Sequence, residues 1–158
     1  MKVYWLGLLS GKYLPNKHAY KSVPGGQNIS PAIQWGDVPQ GTKSFAFSIV
    51  DHTAGASNVI HWFVVNVPHS VREIPERASG TRDKMPPGAL EIRNSFGELG
   101  YGGPNLPRNS GPHEYVLAVY ALNVENLSRG PFSTSEECER EMRGKVIASA
   151  TVSGIFRR

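Results

Sequence analysis

The sequence predicts a mainly antiparallel β-sandwich or barrel with a small helical appendage. Three observations point there. Four apolar segments carry the two-residue period or the β-branched and aromatic richness of strands. Glycine and proline, 17 and 12 of the 158 residues, cluster between short apolar segments and so mark many turns. Only one segment has a convincing helical signature, and it comes late in the chain. No strand–helix–strand alternation is visible, which argues against a doubly wound nucleotide fold.

The elements follow in order. Val3–Leu8 is a plausible first strand, since its apolar run stops at Ser10-Gly11-Lys12, too short for a signal peptide, and no small-residue cleavage site follows. Phe45–Val50 places Phe45, Phe47 and Ile49 on one face. Ile60–Val67 is apolar on both faces, as a central strand is, and Pro68 stops it. A weaker strand fits Ala89–Arg93. Tyr115–Leu122 repeats the central type, and Val146–Phe156 alternates apolar with small polar residues, as a half-buried strand does. Between these strands, Ser133-Thr134-Ser135-Glu136 offers a capping box. Glutamates 136, 137, 139 and 141 start early and Arg140, Arg143 and Lys145 come late, a bias that complements the helix dipole, and Gly144 ends the helix. Cys138 and Met142, four apart, share a face expected to pack inward. The loops at 10–30, 75–90 and 94–112 are long enough to draw attention as functional segments.

Length fits one domain, residues 1–158. A single cysteine excludes an internal disulfide and a cysteine-based zinc cluster. No stretch reaches the ~18 apolar residues of a membrane span, so no integral membrane association is expected, and a cytoplasmic location follows by default. The net charge of +4 is lopsided: residues 1–44 hold five lysines and one acid, Asp37, while the rest of the chain balances. No block of like charges reads as a nucleic-acid arm, and aromatics do not interleave with the basic residues, so no nucleic-acid partner is expected.

Polar candidates gather at strand ends. Asp51 and His52 follow the 45–50 strand, and His61 opens the next; an antiparallel hairpin would put Asp51 and His61 on one rim, closed by the loop 53–59. His113 and Tyr115 stand at the mouth of a third strand and, both odd-numbered, point to one face if the strand extends that far. Before them runs Gly100-Tyr101-Gly102-Gly103-Pro104-Asn105, whose glycines allow close backbone approach to an anion.

These segments together resemble the phosphatidylethanolamine-binding protein family, which includes Raf kinase inhibitor-like proteins and many small prokaryotic members. The resemblance rests on Gly26–Trp35 (GQNISPAIQW), Val50-Asp51, the His61–Asn66 strand (HWFVVN), Gly100–Pro104 (GYGGP) with Gly111–Tyr115 (GPHEY), and Val119–Leu122. It implies a β-sandwich with a short C-terminal helix followed by a strand, and a rim pocket lined by Asp51, His61, Gly103, Pro104, His113 and Tyr115. Family pockets of this type accept phosphate, acetate or phospholipid head groups, hold no metal and need no cofactor. Some members inhibit kinases or bind other regulatory proteins, so a protein partner is implied as well, and a monomer or homodimer fits. Two departures stand out: the usual Asp-Pro-Asp-Ala-Pro is Asp51-His52-Thr53-Ala54-Gly55 here, and Asn105 stands where the prokaryotic branch has cysteine.

The chemistry expected is anion binding, with Asp51 orienting a pocket histidine and favouring its charged form while His61, His113 and Tyr115 donate to the ligand. A hydrolase using an Asp–His pair in the same pocket is the alternative, but the sequence has no Gly-x-Ser-x-Gly elbow, and Cys138 lies in the helix, so a binding protein is favoured over an enzyme. Asp51, His52, His61 and His113 are also zinc-type ligands, without a His-Glu-x-x-His spacing to support that reading.

Overall fold

The computed structural model describes residues 1–53, 58–130 and 133–158. The motif departure at Gly55 lies outside the described residues. Eight strands are described: β1 (Lys2–Trp5), β2 (Ile33–Gly36), β3 (Ser44–Asp51), β4 (Val59–Pro68), β5 (Glu73–Ile74), β6 (Leu90–Glu91), β7 (His113–Leu122) and β8 (Val146–Phe156), with one α-helix, α1 (Ser135–Met142). They form two antiparallel sheets, a three-stranded one ordered β1-β2-β5 and a five-stranded one ordered β6-β4-β3-β7-β8. The antiparallel sandwich expected from the sequence is the architecture observed.

The four strong strands match their sequence signals: β3, β4 and β7 extend slightly beyond them, and β8 coincides with its signal. β7 starts at His113, so His113 and Tyr115 do share a strand face. Gly7, at φ +82°, turns the chain after β1 and leaves it shorter than Val3–Leu8. β2 and β5 had no strand prediction. Two and four residues are too short to show a period, and both exist through pairing: Trp35 faces Val3 across one edge, and Ile33 faces Ile74 across the other.

The sandwich core lies between the sheets. Trp5, Ile33, Trp35 and Ile74 from the smaller sheet meet Phe45, Phe47, Ile49, Trp62, Leu117 and Val119 from the larger. Phe47 stands edge-on to Trp62 with ring centroids 4.9 Å apart. The larger sheet is covered on its other face too. There Ala46, Phe63, Val65 and Leu122 pack with Cys138 and Met142 of α1. All eight residues of β3 are therefore buried.

Strict alternation fails twice in β4, and both failures matter. Phe45 pairs with Val67 while Phe47 pairs with Val64, so β4 carries an extra residue between them. Asn66 takes a left-handed conformation there (φ +60°), tolerable for asparagine, and Val67 rejoins Trp62 and Val64 on the sandwich face. The second extra residue is His61: Ile49 pairs with Trp62 and Val50 with Ile60.

The helix is capped one residue later than the sequence suggests. Thr134, not Ser133, is the N-cap, its side chain accepting from the Glu137 N–H at 3.1 Å. Ser133 Oγ instead accepts from the Gly130 N–H. Arg129 reaches from the preceding loop to Glu137 (3.0 Å) and Glu141 (3.4 Å), four apart on one face of α1. Cys138 and Met142 point inward as expected, and burial pushes the Cys138 thiol up to about 11, which keeps it an inert core residue. Thr134→Ala is expected to cost about 1 kcal/mol of stability, read as a lower denaturation midpoint; an unchanged midpoint would show that the cap adds nothing.

Candidate functional site

The end of the larger sheet where β3 leaves and β7 enters gathers most of the candidate residues. Asp51, the last residue of β3, is 2% exposed and lies directly opposite Tyr115 of β7. A carboxylate so buried needs donors to offset its lost hydration. It has two: the Thr53 N–H reaches Oδ1 at 2.8 Å, and His113 Nδ1 reaches Oδ2 at 2.7 Å. A carboxylate only accepts, so the proton of that contact sits on Nδ1. The His113 Nε2 is thereby left as the ring's other polar atom, on a side chain that keeps 18% of its surface exposed.

His61 reaches the same place by virtue of the bulge. Alternation would put it with Phe63 on the helix-covered face; the extra residue re-aims it to the face of Tyr115, whose ring centroid is 5.0 Å away. Its Nδ1 donates to the Gly102 carbonyl at 2.7 Å, while the Gly102 N–H returns a bond to the His61 carbonyl. The ring is 3% exposed, and burial holds its pKa below the ordinary imidazole value, against weaker opposing pulls from Gly102 and Asp51. At neutral pH, His61 therefore presents an Nε2 lone pair, an acceptor and not a cation. This differs from the donor role expected from the sequence, because the backbone of Gly102 already takes the ring's one proton.

Tyr115 is 1% exposed and its hydroxyl finds no partner among the described residues. Burial first, and Asp51 second, push its pKa up, so the phenol stays protonated and can donate. A buried, unpaired hydroxyl costs stability and marks a group available to something else.

Gly103 and Pro104 are buried in the adjoining wall. A Cβ on Gly103 would lie 2.0 Å from the His18 carbonyl oxygen and 2.9 Å from the Tyr20 nitrogen, so only glycine fits this crossing of two backbones. The crossing is fastened by Asn28, whose Oδ1 takes the Gly103 N–H (2.7 Å) and whose Nδ2 donates to the Tyr101 carbonyl (3.2 Å), by the Tyr20 N–H on the Pro104 carbonyl (2.9 Å), and by the Tyr101 hydroxyl on the His18 carbonyl (2.7 Å). Phe96, 5.5 Å from His61 and 5.2 Å from Tyr20, forms an aromatic edge that sequence reasoning missed. Its signal was faint, a lone aromatic in a Gly-rich loop. Asn28, within the quoted GQNISP segment, was legible as a motif but not as the clasp of the wall.

His52 does not join the group. It is exposed and its Nδ1 meets Asn58 Oδ1 at 3.2 Å. Among the described residues, no three His, Cys, Asp or Glu side chains are grouped to hold a metal ion. Asn105 is exposed and accepts from the Ser22 hydroxyl at 2.9 Å. Chemically, the assembled rim offers an ion-paired imidazole, a protonated phenol and a neutral imidazole acceptor within one aromatic-walled corner. No helix of the described residues is long and apolar enough to cross a membrane.

Two outcomes test this geometry. Gly103→Ala forces backbone against backbone, so a loss of about 1–3 kcal/mol is expected in denaturant titration; a neutral effect would contradict the close crossing. For His61, the folded pKa lies below the unfolded one, so the unfolded chain takes up a proton first. Its contribution is fully present above the unfolded pKa and is lost as pH falls through the depressed folded value. The denaturation midpoint should thus fall between about pH 7.5 and about pH 5.5, with a shallower fall in His61→Gln. Buried His18, also lowered chiefly by burial, adds a slope of the same sign. An unaltered slope in the variant would refute the neutral, buried His61.

Comparison with known proteins gives the same picture from another direction. The family model described as phosphatidylethanolamine-binding protein matches residues 8–157. A UPF0098 protein of Aquifex aeolicus is 36% identical over 158 residues, covering 100% of this chain and 89% of its own. The Escherichia coli UPF0098 protein YbhB is 34% identical, covering 99% of each chain. The crystal structure of Escherichia coli YbcL, described as a new member of the mammalian PEBP family, superposes with a TM-score of 0.90 at 34% identity, covering 99% of this chain and 98% of that one. With the sandwich, the ordered motifs and these relatives in agreement, the chain belongs to the phosphatidylethanolamine-binding protein family.

Proposed function

We propose that the rim at Asp51 binds a small anion, of the phosphate, carboxylate or phospholipid-head-group type, and that the protein acts as a binder, with regulation of a protein partner such as a kinase as its mode of action. The observation that carries the reading is the Asp51–His113 pair, 2.7 Å apart, beside the buried and unpaired Tyr115 hydroxyl. An unneutralised carboxylate 4 Å from an anion would cost about 4 kcal/mol at an effective dielectric of 20. Here the Thr53 N–H and the His113 ring absorb that charge, and a protonated His113 turns its second N–H outward. Tyr115 supplies a second donor. His61, as an acceptor, favours a ligand that carries a proton of its own, such as a hydrogen phosphate or a phosphate monoester monoanion.

The same pair supports a second reading. An imidazole oriented through Nδ1 by a buried carboxylate is the arrangement of a general base, and a hydrolase would use it on a water molecule. An activated side-chain nucleophile is missing from the described rim, which favours the binder. Incubation with phosphate and carboxylic esters separates the two: turnover lost in His113→Ala would install the enzyme in place of the binder.

Calorimetry with a permanently singly charged phosphodiester should show saturable binding to the wild-type protein. His113→Ala should lose about 1.5–3 kcal/mol of binding, one charge-assisted hydrogen bond. Wild-type affinity in that variant would remove the pocket assignment.

A further inference from the structure

A second hollow, of about 370 Å³, lies beside the C-terminal end of β8. It is lined by Leu9, Tyr13, Leu14, Asn16, Phe156 and Arg157. In the sheet register Phe156 pairs with His113 of β7, whereas Tyr13 and Leu14 join β8 along its opposite edge, so the hollow opens on the edge of β8 away from β7. The segment that forms its wall is locked in place. Tyr13 bridges Ile155 in parallel, the Leu14 N–H bonds the Ile155 carbonyl at 2.8 Å, and the Leu9 N–H bonds the Tyr13 carbonyl at 2.7 Å. The hollow is therefore pre-formed, which lowers the cost of binding.

Its chemistry is amphipathic. Leu14 and Phe156 are buried and give an apolar floor, and Leu9 stands at the edge with 57% of its surface exposed. The Arg157 guanidinium lies over the Tyr13 ring, 5.2 Å from its centroid, a cation–π contact. Ion pairs among the described residues involve Lys2, Lys17, His18, His113 and Arg129, so Arg157 stands at this rim without a carboxylate. Lys12 occupies the same turn as Leu9, and residues 1–36 contain four lysines and no acid. Lys2 and Lys17 are paired with Asp37 and Glu76, which leaves Arg157 and Lys12 as the positive charge at this rim, the complement of an anion.

We propose that this hollow binds a small amphipathic monocarboxylate, with its carboxylate on Arg157 and its hydrocarbon over Leu14, Phe156 and Leu9. A guanidinium fork matches a carboxylate in two parallel bonds, and exposed Leu9 gains burial only when an apolar group covers it. The hollow is lined by none of Asp51, His61, His113 and Tyr115, so it is a different site from the anion rim.

Sodium octanoate is the probe, titrated into isotopically labelled protein and followed by amide chemical shifts. Saturable shifts at Leu9, Tyr13, Leu14 and Phe156 are expected, weaker with octanol, which lacks the charge. Arg157→Gln should weaken octanoate binding by about tenfold. Leu9→Glu, at an exposed position, should weaken it through charge repulsion, while His113→Ala should leave it unchanged. No saturation up to about 10 mM, equal binding by Arg157→Gln, or shifts that vanish in His113→Ala would overturn the proposal. That last result would mark octanoate as a ligand of the Asp51 rim and leave the anion reading intact.

Discussion

The fold and its site depend on one constraint: β3 is hydrogen-bonded along both edges, to β4 and to β7, and buried on both faces. Such a strand is mostly apolar, with Ser48 the one polar residue in its interior, and charged chemistry begins at its end. Asp51 is that end. Pairing opposite Tyr115 brings it to 2% exposure, and a carboxylate so placed must find partners. His113 and the Thr53 N–H meet that need, so the ion pair follows from the position of the strand.

The second device is the irregularity of β4. A regular strand would send His61 to the α1 side with Phe63. One extra residue against β3 turns it to the sandwich side, where Gly102 fixes its tautomer and burial keeps it neutral. The two histidines thus differ in role despite similar surroundings: one is ion-paired to a carboxylate and partly exposed, the other is tied to a carbonyl and enclosed. A pocket with both a potential cation and an acceptor discriminates among anions by whether they carry a proton, which net charge alone would not achieve.

The wall opposite is built from loops, and it explains why the long segments 10–30 and 94–112 are ordered. Gly103 passes against the His18 carbonyl at a distance that admits no side chain, and Asn28 fastens both strands of the crossing. The lopsided lysines find their place here as well. Lys12, Lys17 and Lys21 belong to the first of these loops, while Lys2 lies in β1 and Lys43 just before β3, and none belongs to the rim of Asp51. Charge and anion pocket are therefore separate features of the molecule.

The sequence by itself determined the sandwich class, the four long strands, the inward face of α1 at Cys138 and Met142, and the family, because each rests on local period, composition or ordered motifs. It also placed Asp51, His113 and Tyr115 at strand mouths, where period two makes the facing of His113 and Tyr115 legible. It did not determine β2 and β5, which are too short to carry a period and exist only through their partners. Nor did it determine the direction of His61, the return of Val67 to the core or the clasp at Asn28. Those depend on bulges and on contacts between residues up to 75 positions apart, and a pattern read along one strand cannot contain the register of its neighbour.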